Sequence, residues 1–165
     1  TVSQAGLTEA GKAVSDMLMF VGGSSGSTAG GLKTVTLGVV VLAAVGTARG
    51  RSRASVFRHT IPQEKVSQAM TLFMLMLTLA FAGAALICAC SGCSLSTALY
   101  ETVSALATVG LTAGLTATLT TLPKLLLIVF MFFGRVGIMT ISIGFLTASR
   151  AEDRFEYAPA RMLIG

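Results

Sequence analysis

From Val66 to Tyr100 the chain runs 35 residues without a charged side chain. About 20 apolar residues in helical form cross the hydrocarbon of a bilayer, so a run of this length has no solvated face to offer a soluble fold. Composition agrees: charged residues make up 12% of the chain, against ~25% in soluble domains, while 53% are hydrophobic and mean hydropathy is +0.81. The net charge of +5 does not point to nucleic acid, because its distribution is wrong for that. Arg49, Arg51, Arg53, Arg58 and Lys65 share one short connection with a single acid, Glu64. Basic clusters beside apolar runs mark the cytosolic side of membrane segments.

The stretch Phe20 to Thr36, FVGGSSGSTAGGLKTVT, holds five of the 18 glycines yet is flanked by apolar sequence on both sides. Glycine-rich backbone at membrane depth is tolerated only where it is buried in protein or lines a water-filled cavity, since unpaired N–H and C=O groups in hydrocarbon cost several kcal/mol. A helix broken beside a polar pathway is therefore expected here.

Taken in order, Thr1 to Thr8 is short and polar, and Glu9 to Ala13 offers a helix start. Asp16 to Val21, the glycine stretch and Thr34 to Ala48 form one span in pieces. Residues 49–65 make the basic cytosolic connection, with Pro62 before the next helix. A helix over 66–90 follows. All three cysteines then fall in Cys88-Ala-Cys90-Ser-Gly-Cys93. A metal site needs about four ligands, and the only histidine, His59, belongs to the opposite side of the membrane. A disulfide and plain packing both remain open for these thiols.

Leu95 to Ala107 has helical spacing but is too short to span. It is followed by Thr108-Val109-Gly110-Leu111. A short helix ending in T-V-G resembles the pore loop of potassium-selective channels, in which carbonyl oxygens replace the hydration shell of the ion. Glycine permits carbonyls to turn inward, and the helix aims its negative C-terminal end at the cation. T-V-G alone is a weak signal; the short helix and the second span over 122–149 strengthen it. Within that span Arg135 is costly in hydrocarbon and is expected to face protein or water. Its reading is open between a structural partner for carbonyls and a role in the pathway. The tail over 150–165 balances three arginines with three acids and is expected in the cytosol.

The chain also repeats itself. Ala5-Gly6-Leu7-Thr8 followed by Met19-Phe20-Val21-Gly22 echoes Val109-Gly110-Leu111-Thr112 followed by Met131-Phe132-Phe133-Gly134. The glycine spacings are 16 and 24, so the second copy holds eight more residues. Two other classes compete with a pore. Gly26 to Thr34 lies one inserted leucine away from a phosphate-binding G-x4-G-K-[ST] loop, but the chain has only seven acids and none suits a magnesium ligand. A noncatalytic membrane scaffold explains the hydropathy but not the short helix with T-V-G.

GGSSGSTAGGLKT in a broken helix, the basic loop with Ile61-Pro62, YETVSALATVGLTAGLT and MFFGRVGIMT together resemble the Ktr/Trk/HKT superfamily of potassium transporters, closest to the bacterial KtrB-type membrane subunits. The resemblance runs through the whole chain in order. It implies an all-α membrane protein of membrane-pore loop-membrane repeats, with a broken helix and a re-entrant pore loop. Residues 1–48 resemble the end of a third repeat and 66–149 the fourth, with two and a half repeats upstream. It further implies potassium, or alternatively sodium, as cargo, no cofactor, and no enzymatic activity. Ser3, Gln4, Ala5 and Gly6 would form the third filter segment and Thr108, Val109, Gly110 and Leu111 the fourth, binding K+ through backbone carbonyls only. Gly22, Gly23, Gly26, Gly30 and Gly31 would form the intramembrane gating loop, with Lys33 after it and Arg135 helping to close the pore. The implied partners are a second copy in a homodimer, a cytosolic KtrA/TrkA-like ring of nucleotide-binding regulatory subunits, and the lipid of the bacterial inner membrane. Ser25 and Ile138 stand where the family commonly has proline, and the third segment lacks the family's arginine and threonine before Ala5-Gly6.

Overall fold

The structure is a computed structural model that describes residues 4–24, 27, 30–50, 55–56 and 59–136. After a single 3-10 turn at Gln4–Gly6, helix α1 (Glu9–Val21) begins where the Thr8 hydroxyl accepts the Gly11 N–H at 3.2 Å, with Glu9 in the first turn. Acceptor and acid both suit the N-terminal end of a helix. The helix stops at Gly22, whose φ of 68° belongs to the left-handed side that glycine enters without a Cβ penalty. After the glycine stretch, α2 (Thr34–Ala48) is apolar on every side and buries none of its residues. A helix of that kind is at home in lipid or against further protein.

The basic connection contains a small feature that the sequence does not announce. Two-residue strands β1 (Ser55–Val56) and β2 (His59–Thr60) pair antiparallel, Ser55 with Thr60 and Val56 with His59. Helix α3 (Gln63–Ser91) then runs 29 residues, about 44 Å at 1.5 Å per residue. Among the described residues it is the one helix long and apolar enough to cross a membrane. It ends at Gly92, whose N–H donates to the Cys88 carbonyl at 2.9 Å.

Helix α4 (Leu95–Leu106) starts at Ser94, which accepts the Thr97 N–H at 3.3 Å. It packs against α1, α3 and α6 (Thr121–Val136), and the single-turn α5 (Leu115–Thr118) lies between α4 and α6 in sequence. Small residues of α3 at Ala80, Gly83 and Ala84 face this contact. A Cβ on Gly83 would strike the Phe130 ring of α6 and the Thr102 methyl of α4. Close approach through small residues is how helices associate where lipid removes the hydrophobic driving force.

Around a mostly apolar core, burial departs from that of a soluble domain in two ways. Every residue from Tyr100 to Ala107 is buried, including Glu101, Thr102 and Ser104, whereas Phe81, Leu86, Leu122, Leu125, Ile128 and Phe132 are exposed on α3 and α6. A few polar side chains within the apolar core and many large apolar ones outside suit a chain whose solvent is lipid or more protein. The regular elements among the described residues are helices apart from the small ladder, in keeping with an all-α membrane protein. Of the last expected span, 122–149, α6 is described to Val136, and the remainder with the tail 150–165 lies outside the described residues.

Candidate functional site

The site is built where α4 ends. The Thr108 N–H donates to the Ala105 carbonyl at 3.1 Å and the Val109 N–H to the Ser104 carbonyl at 2.9 Å. This paired pattern closes helices with a left-handed residue, usually glycine. Here the left-handed position is Thr108, with φ 54°. A β-branched residue there is a genuine outlier, strained by about 1–3 kcal/mol, and it persists only where its surroundings hold it. One such hold is a long-range hydrogen bond: Gly30 donates its N–H to the Thr108 hydroxyl at 2.9 Å, across 78 positions.

The end of the glycine stretch is therefore pressed against the end of α4. A Cβ at Gly30 would lie 2.5 Å from the Thr108 hydroxyl oxygen and 2.8 Å from the Gly134 carbonyl. A Cβ at Gly31 would lie 3.2 Å from Ala107. Gly134 in turn sits so close to the Leu106 carbonyl that a side chain there would collide with it. Leu32, between stretch and α2, is fully buried.

Beyond Thr108 the chain is without regular secondary structure to Ala113, with Gly110 at φ 81°. Side chains of α4 hold it from behind. Ser104 donates its hydroxyl to the Leu111 carbonyl at 2.6 Å. Glu101, 4% exposed, accepts from the Thr112 hydroxyl at 2.5 Å, the Ala113 N–H at 3.1 Å and the Thr116 hydroxyl at 2.7 Å. Among the described residues no hydrogen bond takes up the carbonyls of Thr108, Val109 or Gly110. Unpaired carbonyls at the negative end of a buried helix are a cation-seeking arrangement.

The residues singled out from sequence thus fall as follows. Thr108, Val109, Gly110 and Leu111 form the irregular segment after α4, the Leu111 carbonyl being turned toward Ser104. Gln4, Ala5 and Gly6 lie in the 3-10 turn, tied to α4 through Tyr100, whose hydroxyl donates to Gln4 Oε1 at 3.2 Å. Gly22 and Gly23 follow α1; Gly30 and Gly31 meet Thr108 and Ala107; Lys33, φ 25°, is the residue before α2. Ser3 and Gly26 lie outside the described residues, as do Ser25 and Ile138. Arg135 is exposed on α6, while the neighbouring Gly134 makes the close approach. The three thiols are free, and Cys88 donates to the Cys93 carbonyl at 2.8 Å. Outside the apolar segments, the Ser96 hydroxyl and the Lys12 ammonium hold the Glu9 carboxyl below its ordinary range.

Sequence reasoning passed over Glu101, Ser104, Thr112 and Thr116. One signal was available: Glu101 is the sole acid between Glu64 and Glu152. A lone acid in so apolar a stretch needs a defined set of partners.

Comparison with known proteins gives a consistent answer. Residues 1–156 match the family model TrkH, described as a cation transport protein. The chain is 39% identical over 164 residues to the potassium/sodium uptake protein NtpJ of Enterococcus hirae, covering 96% of this chain and 36% of that protein. It is 34% identical over 139 residues to the Ktr system potassium uptake protein B of Bacillus subtilis, covering 84% of this chain and 31% of the relative. The Vibrio alginolyticus protein of the same name is 31% identical over 149 residues, covering 90% and 32%. The chain spans about a third of the length of these relatives, whose names describe transporters and not enzymes. Through its TrkH match and these relatives, the chain belongs to the TrkH family of cation transport proteins.

Proposed function

We propose that the chain is part of a monovalent cation uptake pathway through the cell membrane, with potassium as the preferred cargo. The observation that carries this reading is the non-helical Thr108–Gly110 segment at the end of the buried helix α4, with no hydrogen bond to its carbonyls among the described residues and the glycine stretch pressed against it. An ion shedding water needs closely spaced oxygens that cost little to reorganise, and backbone carbonyls supply them. The names of the relatives, which include both potassium and sodium, support the cargo class.

In this reading Gln4, Ala5 and Gly6, with Ser3, line a second wall of the same pathway. Residues 1–48 end one membrane-pore loop-membrane repeat, 49–65 lie in the cytosol, and 66–149 form the next, with further repeats upstream completing the enclosure. The glycine stretch from Gly22 to Gly31 is the gate, flanked by Lys33 and Arg135. The Gly30 to Thr108 hydrogen bond is its closed contact. The protein works as a homodimer in the bacterial inner membrane, with a cytosolic nucleotide-binding ring biasing the gate between two states. The name of the Bacillus relative, a protein B of a Ktr system, supports further components.

The test is rubidium or potassium flux into liposomes that hold the intact transporter, with sodium as competitor, beside its Gly110→Ser variant. The expected outcome is potassium-preferring flux whose preference falls in the variant, because a side chain at φ 81° disturbs the aim of the carbonyls. Folded, dimeric protein with no cation flux would instead favour a membrane scaffold.

A further inference from the structure

We infer that Glu101 is the positioning residue that anchors the stretch immediately after the ion-lining segment and so holds that segment in its working conformation, a role that rests on the cation-pathway reading above. Its two carboxylate oxygens collect three donors from the chain as it returns over α4. Oε1 accepts from the Thr112 hydroxyl and the Ala113 N–H, and Oε2 from the Thr116 hydroxyl. Thr112 passes the constraint on, since its hydroxyl oxygen also accepts the Gly114 N–H at 3.0 Å. One turn along α4, Ser104 grips the Leu111 carbonyl.

The physical force of this arrangement lies in the penalty for leaving it. A buried carboxylate stripped of a donor has no water to replace it. Any shift of residues 111–116 relative to α4 leaves Glu101 underbonded, so the segment has one favoured position. Carboxylate oxygens only accept, and all three partners can donate, so the match is complete in chemical type. The carbonyls of Thr108, Val109 and Gly110 lie immediately before this anchored stretch, and their aim is set by where it is held.

Positioning and charge are separable by substitution. In Glu101→Gln the amide oxygen still accepts from Thr112 and Ala113, and the amide nitrogen donates to Thr116, whose hydroxyl turns to accept. Glu101→Ala removes every acceptor. Thr112→Val combined with Thr116→Val removes two donors from the other side and leaves Glu101 in place.

The experiment measures the potassium-over-sodium preference of flux in liposomes for the intact transporter and these variants, with each variant first shown to be monodisperse. Glu101→Ala and the double threonine variant are expected to lose about tenfold in preference, the scale set by a lost hydrogen bond to a charged group. Glu101→Gln is expected to stay within about twofold of the parent. A purely structural role would lower the unfolding temperature and leave the preference unchanged, which would overturn the inference. Should Glu101→Ala fail to fold, the double threonine variant decides in the same way. Glu101→Gln behaving like Glu101→Ala would also overturn it, since charge and not position would then be at work. A parent without cation flux would overturn the pathway reading and this role together. A selective parent with unchanged variants would overturn this role alone.

Discussion

The two echoing segments, Gly6 to Gly22 and Gly110 to Gly134, begin alike and end differently. Helix α1 starts three residues after Gly6, whereas α6 starts eleven after Gly110, so the eight extra residues of the second copy lie ahead of its helix and include α5. From there the copies keep step, until one helix stops at Gly22 and the other continues through Gly134. The difference shows what breaks a helix at this depth. After Gly22 come more glycines and serines, and α1 ends with a left-handed glycine. Within the described α6, Gly134 is buried where the Leu106 carbonyl has come up against it, and the helix carries on to Val136.

The strongest way to break the comparison is to fill the close approach at Gly134. Gly134→Ala places a Cβ on the Leu106 backbone carbonyl, which cannot swing aside as a flexible side chain can. Overpacking costs typically 1–3 kcal/mol, and a rigid neighbour puts this case at about the upper figure. Thermal unfolding of the intact transporter is expected to show it, together with lost flux. Next comes Gly22→Ala, where a left-handed φ of 68° and a Gly30 carbonyl 3.0 Å from the new Cβ act together. The left-handed penalty alone is about 1–2 kcal/mol, and potassium leak is expected to rise as the loop loses its closed shape.

A finer contrast sets Gly6 and Gly110 side by side. Neither Gly6 nor Gly110 has an atom within 4 Å of a new Cβ, but only Gly110 has a positive φ. Gly110→Ala is expected to cost about 1 kcal/mol through the backbone alone, whereas Gly6→Ala should leave the unfolding temperature nearly unchanged. Equal losses would show that space and not conformation matters at Gly110. The mildest change in shape is Thr108→Val, which keeps the side-chain volume but takes the acceptor from the Gly30 N–H. About 1 kcal/mol is expected from the lost bond, and its functional signature would be raised resting flux with potassium preference kept.

The two segments also meet α4 differently. Around Thr108–Ala113 the chain supplies α4 as a buttress, with Ser104 and Glu101 gripping from behind. At Gln4–Gly6, the Tyr100 hydroxyl of α4 donates to Gln4 Oε1 from the side. Much of this was legible in the residues. The 35-residue uncharged run, the glycine stretch and the short helix before Thr-Val-Gly each carry a local signal, and each finds its counterpart in α3, in the break after α1 and in α4. The ladder between β1 and β2 was not legible, because two residues per strand leave no periodicity to detect. The importance of Gly134, beside the mid-span charge Arg135, was not legible either, because it depends on what lies opposite.

By itself, then, the sequence determined a helical membrane protein with one broken helix and one short helix leading into a glycine-bearing segment, because hydropathy, charge placement and glycine content act through near neighbours in the chain. Only the tertiary structure decided that Gly30 meets Thr108, that Gly134 lies against the end of α4, and that Glu101 holds Thr112, Ala113 and Thr116. Those contacts depend on where separate segments return in space. A lone acid reveals that it needs donors, but not which turn of the chain will bring them.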